Sequence, residues 1–394
     1  MIFVDIKNKI KSSRFLYIIY FYFGNLLLKI LKLFVKTDNK LILFVSYGGR
    51  KYDDSPQNIY EAMTADSRFE DYKFVWGFEK PDNFQLIKGE KISINSVKYL
   101  VYALKARVWV TNVDMRRGLN FDVKHTIYVN TWHGTAIKYL GNDCSKEGQE
   151  FNTKAKRVAP DIMLAQGEHD VNVYISAFNL SRAQIALTGL PRNDALVAFN
   201  NIEYRSRLKK KMGLPNDKII ILYAPTFREY DGMHNWEQEL SLNLEKWTKS
   251  FGNKYQLLIR GHQVVQTMTG ITDGSFVKDY TGYPNLNDLL LVSDILISDY
   301  SSIFFDYSIL GRPMFCYAYD YEKYYQNRGL YFDIRKELSC AEDEDELITK
   351  IETIDWDVES HKAAVFRDRY VQYFGNATSN SLDIIYKKMQ TIKI

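Results

Sequence analysis

Two histidines, an arginine and a run of hydroxyl side chains carry the chemistry open to this sequence. His133 lies in the motif TWHGT at 131–135, directly after the apolar run Thr126–Asn130. An imidazole titrates near neutrality, so at a strand end it can take a proton from a hydroxyl. Gly134 and Thr135 beside it are candidates for the same cleft. Arg228 ends the motif APTFR at 224–228, and His262 ends RGH at 260–262. Two cations beyond neighbouring strands make an anion clamp. The third element is SDYSS at 298–302, where Ser301 and Ser302 fall at the start of an expected helix over 303–310. Free backbone N–H groups there, with two hydroxyls, suit a phosphate. Thr226, Asp299 and Tyr300 belong to the same motifs and join the donor-phosphate and cleft candidates. Gly48 in YGGR at 47–50 and Asn112 after the run Val108–Thr111 are weaker cleft candidates. YGGR matches neither a dinucleotide fingerprint nor a P-loop.

These residues need strands to place them, and the pattern supplies two series. The first runs through Leu41–Ser46, Tyr72–Trp76, Val108–Thr111, Thr126–Asn130, Ile162–Ala165 and Gln184–Thr188. The second runs through Ile219–Tyr223, Gln256–Ile259, Ile295–Ser298 and Met314–Tyr317, after a polar basic helix over Tyr204–Met212. Short apolar strands alternating with amphipathic helices predict parallel sheets. The expected architecture is α/β: two doubly wound, Rossmann-like domains, 41–195 and 196–394, facing each other across a cleft. In such folds ligands bind at the carboxyl ends of strands, where the chemical residues fall.

Residues 1–40 read as a separate segment. Lys7, Lys9, Lys11 and Arg14 precede the aromatic run Phe15–Phe23, followed by a break at Gly24 and Asn25 and by Leu26–Val35. The continuous apolar run is about 14 residues, short of the roughly 20 that a span needs. Leu26, Leu27, Ile30, Leu31 and Phe34 have helical spacing, with Lys29, Lys32 and Lys36 on the other side. An amphipathic helix lying on an anionic membrane surface is expected, with a helix docked on the protein's own body as the other reading.

Composition narrows the partners. A net charge of +4 is too small to argue for nucleic acid. Cys144, Cys316 and Cys340 form no close pair in sequence, so neither a disulfide framework nor a zinc cluster is expected. Asp355 and Asp357 flank Trp356 in a late acidic stretch that reads as structural, and no dedicated metal site or cofactor is expected.

The motifs NTWHGT (130–135), TGLPRND (188–194), APTFR (224–228), RGH (260–262), SDILISDYSS (293–302) and RGLYFD (328–333) occur in this order. Together they resemble the CDP-glycerol glycerophosphotransferases of teichoic-acid or related capsule-polymer synthesis, over roughly residues 41–385. The resemblance implies a GT-B-like fold, donor binding in the second domain and peripheral attachment to the cytoplasmic face of the cell membrane. It implies that His133 and His262 are catalytic, that Arg228, Ser301 and Ser302 hold the donor pyrophosphate, and that Arg328 of the closing motif faces the cleft. The substrates would be a CDP-polyol and a lipid-linked saccharide or polymer. The short amino-terminal extension resembles priming, single-addition or capsule-type members more than the long polymerases. A GT-B glycosyltransferase using a nucleotide sugar, and a non-catalytic envelope scaffold, are the other readings. The polyol, the acceptor and the number of additions stay open.

Overall fold

Each strand run of the sequence is a strand in the computed structural model, which describes residues 13–121, 124–144, 155–156, 158–228, 237–262, 265, 267–271 and 274–391. The first half contributes β1 (Asp38–Val45), β2 (Lys73–Phe78), β3 (Glu90–Ser93), β4 (Ala106–Thr111), β5 (Ile127–Asn130), β6 (Ile162–Ala165) and β7 (Ile185–Leu187). They form one parallel sheet in the order β3-β2-β1-β4-β5-β6-β7. The second half contributes β8 (Ile219–Tyr223), β9 (Glu237–Glu239), β10 (Tyr255–Ile259), β11 (Thr267–Thr269), β12 (Val277–Asp279), β13 (Ile295–Ser298), β14 (Met314–Tyr317) and β15 (Ser339–Ala341). Six of these make a second parallel sheet, β12-β10-β8-β13-β14-β15, while β9 and β11 pair with each other. Helices cover both faces of a parallel sheet, so its inner strands bury every position; β4, β5, β6, β13 and β14 do so. The sequence pattern missed the pair β9 and β11 and also β3, β12 and β15, which are short and lie on the outside of the two large ladders, where Glu90, Lys91, Lys278 and Ser339 can stay partly in water.

The order of each sheet reverses beside its first strand, between β1 and β4 in one and between β8 and β13 in the other. At such a reversal the loops diverge and leave a crevice at the carboxyl ends. The two crevices face each other.

Three segments depart from the sequence pattern. The Ala377–Thr391 helix follows the second sheet in sequence but packs on the first, burying Leu382, Ile385 and Met389 in the core of β1, β2 and β4. Arg68 pairs with Asp383 at 2.6 Å and Phe69 meets Tyr386, so the range 196–394 does not lie wholly on the second sheet. At the other end, Gly24 and Asn25 do not break the helix, which runs unbroken from Arg14 to Phe34 with Ser13 as its cap. It is one helix long and apolar enough, by length and composition, to cross a membrane. Gly24 lets it lie close to the body: a Cβ there would stand 2.7 Å from Leu119. Asn25 accepts from the Asn120 N–H at 2.9 Å and donates to the Phe21 carbonyl at 2.7 Å. Phe21 and Leu28 are buried, while Phe15, Tyr22, Phe23, Leu33 and Phe34 stay exposed. Lys7, Lys9 and Lys11 lie outside the described residues.

The third departure is a pair of thiols. Cys316 and Cys340, distant in sequence, stand opposite each other on β14 and β15, and the Cys316 thiol donates to the Asp299 carbonyl at 3.7 Å. Asp355, by contrast, caps the Trp356–Tyr370 helix by accepting from the Asp357 and Val358 N–H groups, a structural duty in line with the sequence.

Candidate active site

The loop after β1 is a tight reversal. Tyr47, Gly48 and Gly49 all take positive φ (47°, 63° and 84°), and the chain returns so that Lys51 bridges Ser46. Left-handed backbone is easy for glycine and strained for tyrosine, which is held by its partners. The Tyr47 N–H donates to the Asn112 side chain at 2.8 Å and its hydroxyl bonds Asp54. Asp54 opens the Asp54–Ala65 helix, buried, and also accepts from the Asn112 amide at 3.1 Å. Asn112, itself wholly buried, thus ties the ends of β1 and β4 together.

The loop after β5 carries His133. The Asn130 side chain accepts from the Trp132 N–H at 2.8 Å, and Trp132 packs on the imidazole with centroids 4.3 Å apart. His133 Nδ1 lies 2.9 Å from the Asn112 carbonyl. A carbonyl can only accept, so the neutral ring carries its proton on Nδ1 and keeps the Nε2 lone pair for the cleft. Burial pushes the His133 pKa below its ordinary value; the Asn112 carbonyl and Asp54 oppose this, and Arg192 adds to it. The ring is therefore neutral, able to accept a proton, at pH 7.

Arg192 joins this loop to both halves. Its Nη1 donates to the His133 carbonyl at 2.8 Å and to Asp54 at 3.2 Å, and its Nη2 donates to Asp306 at 2.7 Å. Asn193 donates to the other oxygen of Asp306 at 2.8 Å. Burial works against the Asp54 carboxylate, yet Arg192 and the Tyr47 hydroxyl more than offset it and hold its pKa below the usual range. For Asp306 burial prevails and pushes its pKa up, against the same guanidinium. Gly134 sits where the halves touch, at φ 137°; a Cβ there would meet Ser302 Oγ at 2.6 Å and Arg192 Nη2 at 3.2 Å.

The opposite wall comes from the ends of β8, β10 and β13: Ala224 and Pro225, then Arg260, Gly261 and His262, then Ser301 and Ser302. These residues, with Tyr47, Lys51, Asp53, Asp54, His133 and Arg192, line one cavity of about 350 Å³. The structure thus brings together His133, His262, Ser301 and Ser302, the core of the sequence-derived site.

Other candidates fall elsewhere. Arg228 does not line the cavity. Its guanidinium is buried between Asp299 (2.8 Å) and Asp320 (2.8 Å), donates to the Thr226 carbonyl at 2.6 Å, and lies 5.1–5.4 Å from the rings of Tyr324, Tyr300 and Tyr319. Thr226 donates its N–H and hydroxyl to Asp299, and the Tyr300 hydroxyl reaches Asp320 at 3.2 Å. Arg228, Thr226, Asp299 and Tyr300 therefore satisfy one another beneath the loop that presents Ser301 and Ser302, and none of them faces the cavity as an anion clamp. The helix after that loop is also shorter than expected, Ile303–Ser308, which weakens the dipole and leaves the hydroxyls as the donors. Asn112 and Thr135 are supports, Thr135 accepting from Gln166 at 2.8 Å. Gly48 shapes its turn without lining the cavity. Arg328 ends a helix whose next residue, Gly329, packs on Tyr139 at the contact between halves, away from the cavity.

Arg192, Asp54, Asp306, Lys51 and Arg260 went unassigned in the sequence. The motifs containing Arg192 and Arg260 were visible there, but the carboxylate partners of Arg192 lie more than a hundred residues away.

Two parallel-sheet halves, each with its reversal point turned to a shared polar cleft, define a GT-B-like transferase. The sequence profile of the family described as CDP-Glycerol:Poly(glycerophosphate) glycerophosphotransferase matches residues 27–387, and the chain belongs to that family. It is 35% identical over 323 residues to the teichoic acid poly(glycerol phosphate) polymerase of Staphylococcus epidermidis, covering 77% of this chain and 44% of that one. It is 34% identical over 341 residues to the teichoic acid glycerol-phosphate transferase of Staphylococcus aureus, covering 82% of this chain and 86% of that one. The chain thus spans less than half of the first relative and most of the second. A solved structure of a variant of the wall teichoic acid polymerase TagF superimposes with a TM-score of 0.80 at 30% identity, covering 93% of this chain and 94% of that one.

Proposed function

We propose that this enzyme transfers glycerol phosphate, or a similar polyol phosphate, from CDP-glycerol to a hydroxyl of a lipid-linked acceptor in teichoic-acid or capsule-type polymer synthesis. One observation carries the reading: a neutral imidazole from one half and the His262, Ser301 and Ser302 side chains from the other line the same cavity. In the reaction, the acceptor oxygen bonds to the phosphorus bearing glycerol, its proton passes to His133 Nε2, and the P–O bond to CMP breaks. His262 and the two serines meet the pyrophosphate and the charge that grows on CMP. Such chemistry depends on positioning and charge stabilisation, with no covalent enzyme intermediate. Arg228 acts one layer below, holding the serine loop through Asp299 and Tyr300. Contact between Gly134 and Ser302 keeps the halves closed and water out.

The exposed apolar residues of the Arg14–Phe34 helix, with Lys29, Lys32 and Lys36, support attachment to an anionic membrane surface, on the cytoplasmic side where a nucleotide donor is available. Its lateral docking through Phe21, Gly24 and Leu28 favours a helix lying along the surface.

The test is mass analysis of a synthetic lipid-linked disaccharide after incubation with the full chain and CDP-glycerol, CDP-ribitol or a UDP-sugar. Gain of glycerol phosphate with release of CMP is expected. Gain of a sugar, or no turnover of any donor, overturns the reading.

A further inference from the structure

The motif RGLYFD at 328–333 lines no part of the cavity, yet its middle residues join the two halves. Their partner is the strip that follows TWHGT. Lys138 and Leu330 form an antiparallel bridge. On either side of it the Tyr139 N–H donates to the Gly329 carbonyl at 3.1 Å, and the Tyr331 N–H donates to the Ile137 carbonyl at 2.8 Å. The Tyr331 hydroxyl accepts from the Leu140 N–H at 3.2 Å and donates to Asp143 at 2.6 Å. Gly329, at φ 65°, lies so close to Tyr139 that a Cβ would stand 2.3 Å from that ring.

The two strips also exchange side chains. Ile137, from the first half, is 1% exposed within a core cluster otherwise drawn from residues 196–371. Tyr331, from the second half, packs against the cluster of Ala136, Met163, Val171 and Tyr174, and meets the Tyr139 ring edge-on at 4.9 Å. Parting the strips would return both side chains to water and break the hydrogen bonds between them, so the joint is firm. Ile137 lies four residues after His133. Of the residues between, Gly134 abuts Ser302 and Thr135 is held by Gln166, so little slack separates the joint from the imidazole.

We propose that residues 329–331 are a clasp and that Tyr331 is a positioning residue for the transfer: by gripping the strip after His133, they set where the imidazole stands relative to Ser301 and Ser302. This rests on the proposed role of His133 as proton acceptor. Tyr331 acts through the strip 137–140 and meets no reacting group. Loss of the clasp should therefore lower kcat and spare the KM for CDP-glycerol, whose binding groups sit on other loops of the second half. It should also free the imidazole from its surroundings. Burial holds the His133 pKa down, helped by Arg192 and Lys138 and opposed by the Asn112 carbonyl and Asp54. The net effect is downward, so a loosened ring titrates closer to the ordinary 6.5.

The experiment uses the full chain, CDP-glycerol and a synthetic lipid-linked disaccharide, with the His133 imidazole followed by NMR titration. Tyr331→Ala and Gly329→Ala, the second driving a Cβ into Tyr139, should each lower kcat about tenfold to a hundredfold through misplacement of the base. Both should leave the KM for CDP-glycerol unchanged and raise the His133 pKa toward 6.5. Tyr331→Phe keeps the ring and the backbone pairs and should recover most of the loss. If neither alanine variant folds, judged by circular dichroism, Tyr331→Phe decides by the same readouts, with kcat about threefold to tenfold down for one lost hydrogen bond. An unmoved His133 titration in the folded variant overturns the clasp, whatever the fall in its urea midpoint. A raised KM for CDP-glycerol with kcat intact overturns it too. A wild type that turns over no CDP-glycerol defeats the proposed function instead, and the imidazole titration then still decides the clasp.

Discussion

Arg192 and Arg228 each bury a guanidinium against two aspartates, Asp54 and Asp306 for the first and Asp299 and Asp320 for the second, yet of the two Arg192 alone lines the cleft. Their chemistry is almost the same. What differs is which elements the carboxylates come from. Asp299 and Asp320 belong to the second half, so Arg228 stiffens one loop from within. Asp54 and Asp306 belong to different halves, and Arg192 adds the His133 carbonyl as a third anchor, so it couples the imidazole loop to the closure of the cleft. A buried ion pair gives little net stability by itself, because desolvation opposes the attraction. Its value lies in fixing geometry, and only one of these two geometries includes the reacting groups.

The sharpest test of that contrast begins at the group that Arg192 positions. His133→Ala should lower kcat by about 10²–10⁴-fold with little change in CDP-glycerol affinity by calorimetry. Because burial depresses the His133 pKa, the acid limb of the wild-type rate profile should lie below pH 6.5, the ordinary imidazole value. Asp54→Asn removes a negative neighbour that raises this pKa and should move the limb lower still.

The paired substitutions come next. Arg192→Lys keeps the charge but cannot span three anchors, and should cost about tenfold to a hundredfold in kcat through misplacement of the imidazole. Arg228→Lys should lower the urea midpoint of unfolding and leave kcat of the folded fraction near wild type. Equal kcat losses for the two would erase the distinction drawn between them.

A third, smaller effect probes the contact between halves without touching a charge. Gly134→Ala places a Cβ against Ser302 and strains a left-handed φ, which costs about 1–3 kcal/mol. Steady-state assays should show kcat reduced about tenfold with the fold retained. A fully active variant would mean that the halves need not meet there.

The smallest effect concerns Asp170, which supports the same region from behind. Burial raises its pKa to about 7, although the Gln166 N–H donates to it at 2.9 Å and the Thr135 side chain also opposes the shift. A carboxyl that stays protonated in the fold but ionises in the unfolded chain favours the folded state at low pH. That contribution is complete below the ordinary carboxylate range and is lost as pH rises toward 7. Asp170→Asn should flatten the fall in stability between about pH 4 and pH 7, read from urea unfolding at each pH. An unchanged slope would place the source elsewhere.

The strand runs Ile162–Ala165, Ile219–Tyr223, Ile295–Ser298 and Met314–Tyr317 were legible to the residue, because an inner strand of a parallel sheet must be apolar on both faces. The edge strands Glu90–Ser93 and Ser339–Ala341 were not, since one free edge lets polar residues in. His133, His262, Ser301 and Ser302 were legible from residue type at strand ends. Arg228 was misassigned on the same rule: position past a strand does not say whether a side chain turns to the cleft or back beneath its loop. The Gly24 and Asn25 break was misread because glycine in a helix also serves close packing, which depends on Leu119.

The sequence by itself determined the two series of buried strands, the chemical character of their carboxyl-end loops and the family, since these follow from local patterning and short motifs. Tertiary structure alone decided that Asp54, Arg192 and Asp306 meet, that Cys316 faces Cys340, and that Lys51 looks across at Arg260. Those pairings join residues from separate strands and separate halves. Their energy comes from burial and from partners that chain order does not reveal until the sheets have folded.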